Sequence, residues 1–406
     1  MTTGNAAPRT MIVEDLFLAA LDVPSVERPA WLAAHTDITA AERAAAMAMV
    51  VAFESGAGRV NAAMGAMRIE LSDAMAHGDG SAGRYVLLHR LGAGGFGEVF
   101  LGRQEHPVRR LVAVKVLRDV LSSPVAHARF RAEQQAVASL DHPGIAAMLE
   151  TGEMPDGRPW FAMPFVPGLP ITDFAREHSL DVHSRVRMVT DACDAVEHAH
   201  RRGVIHRDLK PANLLVTDDA GVARPRVIDF GVAKLADAAF LGAGTNTVEG
   251  ALVGTPEYMS PEQADANPPD TRSDVFSLGT ILYELLADRL PRSPDSLRAG
   301  GRAGLAVAIR ANAPVPPSEL APAARSFDRD LDAVCLKAIS ADAGARYQSV
   351  AELRSDLKLW SDGETPSAVH PSRVGRAMRF ARHHWRGVAV AALVTIALLS
   401  STAFSV

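Results

Sequence analysis

Between Val204 and Leu214 the chain reads Val-Ile-His-Arg-Asp-Leu-Lys-Pro-Ala-Asn-Leu, which brings a carboxylate (Asp208), an ammonium (Lys210) and a carboxamide (Asn213) close together. A second carboxylate, Asp229, follows in Asp229-Phe-Gly231. Upstream, Leu91-Gly-Ala-Gly-Gly-Phe-Gly-Glu-Val99 spaces Gly92, Gly94 and Gly97 ahead of Val99. Glycines let a backbone approach phosphates because no Cβ intervenes. Dinucleotide-binding folds carry a similar triplet, but there the glycines open a helix. Here they run into Glu98-Val-Phe-Leu101, a strand pattern; an ordinary hairpin turn is the plainer alternative. Leu111-Val-Ala-Val-Lys115 then ends an apolar strand on a lysine sixteen residues after Val99. Such a lysine is either a solvated strand end or a charge held in a cleft by an anion, with Glu133 as the carboxylate candidate. A Lys115–Glu133 pair would aim the ammonium at phosphate oxygens.

These side chains need elements to hold them. The chain has 406 residues, which allows two or three units at about 100–200 residues each. With 48% hydrophobic and 22% charged residues, wholesale disorder is excluded. Two cysteines, Cys193 and Cys335, exclude a disulfide framework and suit a reducing compartment. No Cys/His cluster has zinc spacing, and no secretory signal is read at the N-terminus. Residues 1–83 read as two or three short helices, from Ile12, Leu16, Leu18, Leu21 and the Ala40–Phe53 stretch, closed by a Gly78–Gly83 linker. Alternation begins at Tyr85. Ser123-Pro124 reads as the start of a helix running to about Leu140. Val186, Val189, Cys193 and Val196 recur at helical spacing, with Gly203 at the helix end. Ser277–Ala287 and Ser349–Trp360 read as further helices. Strands come early and helices late, an α+β layout.

In order, the glycine strand, Lys115, His206-Arg-Asp-Leu-Lys-Pro-Ala-Asn213 and Asp229-Phe-Gly231 resemble the protein-kinase superfamily. Lys210-Pro211 and Gly254-Thr-Pro-Glu-Tyr-Met-Ser-Pro-Glu262 resemble its serine/threonine branch, in the form found in bacterial members. The resemblance covers about Arg84–Trp360 and implies a bilobal fold: a strand-rich N-lobe, a helical C-lobe, and ATP with Mg²⁺ in the cleft. It implies a nucleotide site built from Leu91, Gly92, Ala93, Gly94, Gly95, Phe96, Gly97, Val99, Ala113, Lys115, Met163 and Val166. The implied catalytic set is Asp208, Lys210, Asn213, Lys115, Glu133 and Asp229. Asp208 would accept the hydroxyl proton, Lys210 would offset charge on the transferring phosphoryl group, and Asn213 and Asp229 would offer Mg²⁺ hard oxygens. Glu262 would pair with Arg346, and Asp274 would hold the catalytic-loop backbone. One departure is Pro164, which stands where the family usually has an acidic residue; proline keeps its carbonyl but has no N–H. Arg207 would pair with a phosphate on the segment Asp229–Glu262, with Thr245 and Thr247 as expected autophosphorylation sites.

The net charge is −5, yet residues 365–406 carry five arginines and no Asp or Glu, which leaves −10 for residues 1–364. An acidic body excludes nucleic acid as the main partner. Residues 361–372 read as linker. Gly387–Val406 holds no charge, and as a helix it would span ~30 Å, one hydrocarbon core. Arginines 373, 376, 379, 382 and 386 precede it, which puts the kinase on the cytoplasmic side. The expected layout is 1–83 helical extension and linker, 84–360 kinase, 361–386 basic juxtamembrane linker, and 387–406 single-pass transmembrane helix. A hydrophobic helix docked on the kinase is the other reading of the tail. Expected partners are proteins presenting Ser or Thr and the membrane, with room for a homodimer. A pseudokinase scaffold is the rival function, and a small-molecule kinase the second.

Overall fold

Successive side chains of a strand point to opposite faces, and Arg110–Leu117 (β4) shows what this does here. Val112, Val114 and Val116 enter one apolar cluster with Tyr85 and Trp160. Ala113 and Leu117 enter the main core, and Leu111 enters a third cluster with the N-terminal helices. Both faces are covered, so the strand is almost continuously apolar.

A computed structural model describes residues 13–35, 38–63, 81–94, 97–117, 134–219, 221–230, 255–298, 301–311, 313–322 and 325–369. Three helices open it: α1 (Val13–Leu21), α2 (Arg28–Ala34) and α3 (Ala40–Ala63). An antiparallel sheet follows, made of β1 (Ser81–Ala82), β2 (Tyr85–Gly94), β3 (Gly97–Gln104), β4, β5 (Glu150–Glu153) and β6 (Pro159–Pro164), in the order β1-β2-β3-β4-β6-β5. The register sets Lys115 opposite Val99 on one side and Phe161 on the other. Residues 134–138 form the described part of α4.

The second lobe has a small sheet, β7 (Leu169–Pro170), β8 (Leu214–Asp219) and β9 (Val222–Val227), and helices α5 (Ile171–Glu177), α6 (Val182–His200), α7 (Pro261–Ala264), α8 (Thr271–Ala287), α9 (Pro294–Arg298), α10 (Gly301–Ala311), α11 (Pro317–Leu320), α12 (Arg329–Ala338) and α13 (Val350–Ser361). Nearly every residue of α8 is buried, as expected of a helix surrounded by others. Gly279 lets α12 lie against it, because a Cβ there would press on the Ala338 side chain. Arg185, 1% exposed, ties α6 to α8 by donating to the carbonyls of Ala175, Leu180 and Leu285.

Caps account for several helix starts. Asp181 accepts from the Ser184 N–H at 2.8 Å and Ser349 from the Glu352 N–H at 3.2 Å. The helix expected from Ser277 starts six residues earlier, at Thr271, where Asp270 accepts from the Arg272 N–H at 2.8 Å. Its first turn carries Ser273 and Asp274, polar yet fully buried, so apolar periodicity could not mark it. The Gly78–Gly83 stretch, expected as linker, contains β1, paired through Ser81↔Val86. Among the described residues no helix is long and apolar enough to cross a membrane; the expected span, 387–406, lies outside them.

Beyond α13 the chain folds back. Asp356, 2% exposed, accepts from the Tyr347 hydroxyl at 2.7 Å, the Ser367 N–H and hydroxyl at 2.7 and 2.9 Å, and the Ala368 N–H at 2.9 Å. Replacing this carboxylate orphans several donors at once. Asp356→Ala is expected to cost about 2–4 kcal/mol, read as a lowered midpoint in urea unfolding of the full chain.

Candidate active site

The inward face of β4 runs Leu111, Ala113, Lys115, Leu117. Lys115 is 7% exposed, a position where an ammonium needs an anion. Its Nζ forms an ion pair with Asp229 and lies 5.8 Å from the Phe161 ring centroid. Glu133, expected as its partner, lies outside the described residues. Burial pushes the Asp229 carboxyl upward in pKa, but Lys115, by charge and hydrogen bond, with His206 and Lys210, brings it below the ordinary carboxylate value.

Asp229 has φ +66°, in the left-handed region, a strained conformation for a residue with a side chain. Its second oxygen, Oδ1, is buried with no partner. A buried, unsatisfied carboxylate oxygen is costly, and it fits a hard cation. With the Asn213 carboxamide nearby in chain and fold, the donor set suits Mg²⁺.

The segment after α6 supplies the other half. Asn213 ends a 3₁₀ turn, Pro211–Asn213. Its Nδ2 donates to the Asp208 backbone carbonyl at 2.7 Å and to Asp208 Oδ2 at 3.3 Å. Lys210 Nζ donates to the same Oδ2 at 2.9 Å. The Asn213 carbonyl accepts from the Ile228 N–H at 2.9 Å, which fastens this turn to the residue before Asp229. The structure therefore brings Asp208, Lys210 and Asn213 into one cluster and joins Lys115 to Asp229 across the lobes.

The loop hangs from α8. Asp274 accepts from the backbone N–H groups of His206 and Arg207 at 2.8 and 2.9 Å. The His206 ring contacts the Ile228 carbonyl oxygen at 2.9 Å and packs on Phe230 at 4.8 Å between centroids. Arg207, φ +66°, is gripped at its other end by Gln263, whose Nε2 donates to its carbonyl at 2.7 Å. His200, at the end of α6, adds a 2.7 Å contact to Asp274. Sequence reasoning missed Gln263 and His200; a histidine in the last turn of the helix leading into the loop was the available signal for the second.

In the glycine-rich strand pair, Leu91, Gly92, Ala93 and Val99 are partly buried on β2 and β3. Gly94 pairs with Gly97 at the hairpin. At Gly97, φ +154°, a Cβ would collide with the Val116 carbonyl, so the close approach of β3 to β4 requires glycine. Gly95 and Phe96 lie outside the described residues, as do Gly231, Thr245, Thr247 and Gly254. Ala113 and Met163 are 6% and 5% exposed and face each other across β4 and β6. Val166, equally buried, accepts a backbone bond from Gly168. Pro164 ends β6 opposite Val112.

Glu262 and Arg346 meet in a bidentate pair, 2.8 and 2.9 Å, and Ser273 donates to the same carboxylate at 2.7 Å. The Arg346 guanidinium also lies 5.1 Å from the Phe276 ring centroid.

The protein kinase domain family matches residues 85–352. The serine/threonine-protein kinase PknB of Mycobacterium tuberculosis is 40% identical over 291 residues, 70% of this chain and 44% of that protein. Serine/threonine-protein kinase Pkn1 of Myxococcus xanthus is 39% identical over 280 residues, 68% of this chain and 38% of its own. Among solved structures, the kinase domain of M. tuberculosis PknI superposes with TM-score 0.51 at 26% identity, over 70% of this chain and 99% of that one. The chain belongs to the protein kinase family, whose members use ATP and Mg²⁺. It spans less than half the length of the relatives it matches in sequence.

The Glu262–Arg346 pair has a pH signature. Burial works to raise the Glu262 pKa, but Arg346 and Ser273 hold it down at about 2 against an ordinary 4.5. A depressed carboxylate stabilises the fold above its unfolded value and loses that contribution as pH falls through the folded one. Glu262→Gln is expected to be less stable than wild type near neutral pH, and the gap should narrow as pH drops from 4.5 towards 2; urea unfolding across that range reads it.

Proposed function

We propose that this chain is an active serine/threonine protein kinase that transfers the ATP γ-phosphoryl group to protein hydroxyls. The observation that carries the reading is the convergence of the Lys210 ammonium and the Asn213 carboxamide on one Asp208 carboxylate oxygen, beside the Lys115–Asp229 pair. Bound Mg²⁺ would neutralise charge on the phosphates. Asn213 and Asp229 are the residues to hold it, through the carboxamide oxygen and the unpaired Oδ1. Lys115 would meet phosphate oxygens. Asp208 takes the proton of the acceptor hydroxyl as that oxygen bonds to phosphorus and the bond to ADP breaks. Lys210 keeps a positive charge within hydrogen-bond reach of Asp208 as transfer proceeds. Leu91, Ala113, Met163 and Val166 would enclose the adenine.

A silent scaffold would have no need of all four of Lys115, Asp208, Asn213 and Asp229. A small-molecule kinase would have no need of the peptide-positioning segment, whose described part, 255–262, is fastened by the Ser260–Gln263 capping box and the Glu262–Arg346 pair. Thr245 and Thr247 are the proposed autophosphorylation sites, with Arg207 as the phosphate partner. The kinase unit is assigned to 84–360. Residues 387–406, preceded by five arginines, are the proposed single membrane span, with the kinase on the cytoplasmic face.

Two measurements test this. Asp208→Asn and Lys115→Met should each lower phosphate incorporation from labelled ATP into Ser/Thr by about 100- to 10,000-fold, and chelating Mg²⁺ should abolish it; wild-type protein that binds ATP without transfer overturns the reading. Full-length chain should sediment with membranes and residues 1–372 should not; both in the soluble fraction would remove the anchor.

A further inference from the structure

Four aromatic rings run in contact from one side of the nucleotide cleft to the other, and two of them lie outside the kinase fold. Phe165 sits between Pro164 at the end of β6 and Val166, proposed above to help enclose the adenine. Its ring stacks on Phe17 of α1, 6.0 Å between centroids and 17° between planes. Phe17 meets Phe53 of α3 edge-on at 6.1 Å. Phe53 meets His89 of β2 edge-on at 6.0 Å, two residues before Leu91, where the glycine strand begins. The N-terminal helices thus touch both margins of the proposed nucleotide site, Phe165 after β6 and the glycine strand, and link them.

The burial pattern says which face they take. Phe17 is 0% exposed. Leu111, on the same face of β4 as Ala113 and Lys115, packs into the α1–α3 cluster, and its carbonyl accepts from the Phe165 N–H at 3.4 Å. Leu91 packs against this cluster and the main core at once. An extension that merely sheltered an open sheet edge would cover β1 or β5, the two edge strands. This one continues the inward face of the sheet, one side-chain position beyond Ala113. Asp15 pairs with Arg109 just before β4; both are partly exposed, so the pair fixes orientation more than it adds stability.

We infer that α1–α3 form an outer wall of the nucleotide site, and that Phe17 is a positioning residue that sets ATP affinity by holding Phe165 and, through Phe53, the glycine strand. The inference rests on the kinase reading above. It assigns the extension a role in substrate binding, acting through Phe165 and the glycine strand, with no group of its own on the reacting atoms. Loss of the ring should leave Asp208, Lys210 and Asn213 in place while loosening the two margins that grip the adenine.

The test uses the full-length chain. Phe17→Ala is expected to raise the Kd for Mg²⁺ with a non-hydrolysable ATP analogue, by calorimetry, about 3- to 10-fold, the range set by one aromatic contact. KM for ATP should rise in step while kcat at saturating ATP changes less than about twofold. Phe17→Leu keeps apolar volume and should recover part of the loss; it also serves if the alanine variant does not fold. Asp208→Asn should show the opposite split, with kcat lost and analogue binding kept. A folded Phe17 variant with unchanged Kd and KM overturns the inference and leaves the kinase reading intact. So does a loss of kcat with KM unchanged. Wild-type chain that binds no analogue overturns both.

Discussion

The Asp274 carboxylate, fully buried in the first turn of α8, is the point from which the active loop is suspended. A carboxylate without water is tolerable only when its lone pairs are filled. Here the donors are the N–H groups of His206 and Arg207 and the ring of His200. Burial alone would raise its pKa; His200 and His206 reverse that, so the group stays below the ordinary aspartate value. The arrangement also explains how Arg207 is kept in the left-handed region, which costs roughly 1–3 kcal/mol for a residue with a Cβ. Its amide is bound from one side by α8 and its carbonyl from the other by α7. Once those two residues are fixed, Asp208 and Lys210 have little freedom left.

The N-lobe depends on a different bargain. Lys115 is buried at the end of an apolar strand, and Asp229 is held at positive φ with one oxygen orphaned. Neither charge would be stable there alone; each lowers the cost of the other. The pair joins residues 114 apart in sequence and is a direct polar link between the strand-rich lobe and the helical lobe. The unfilled oxygen is the remaining cost, and it points to what the site is built to receive.

Much of this was legible from residue order. The loop around Asp208, the glycine strand and Lys115 carry their chemistry in local spacing, and the Val186, Val189, Cys193, Val196 periodicity and the Ser349 start mark their helices. The Glu262–Arg346 pair and the Asp274 anchor followed from family likeness. What escaped was either polar where burial was decisive or distant along the chain. The first turn of α8 carried no apolar periodicity because Ser273 and Asp274 are hydrophilic, so the helix start was read six residues late. Gln263 reaches the Arg207 carbonyl across 56 residues, and no periodicity encodes that. The N-terminal helices were visible as helices, but nothing local tells Phe17 that its neighbour is Phe165.

The return of the chain onto Asp356 moves the point from which anything downstream would hang. Measured along the sequence, the stretch after the kinase begins at Ser361, the end of α13. Measured in space, it begins at Val369, because Ser367 and Ala368 are fastened to the buried carboxylate. Those eight residues, fully extended, would have lengthened the leash by roughly 27 Å. Held as they are, they subtract that distance from the radius the domain can sweep about any downstream attachment. They also fix the spot on the helical lobe from which a pulling force would enter, which makes the hydrogen bonds to Asp356 the first to bear load.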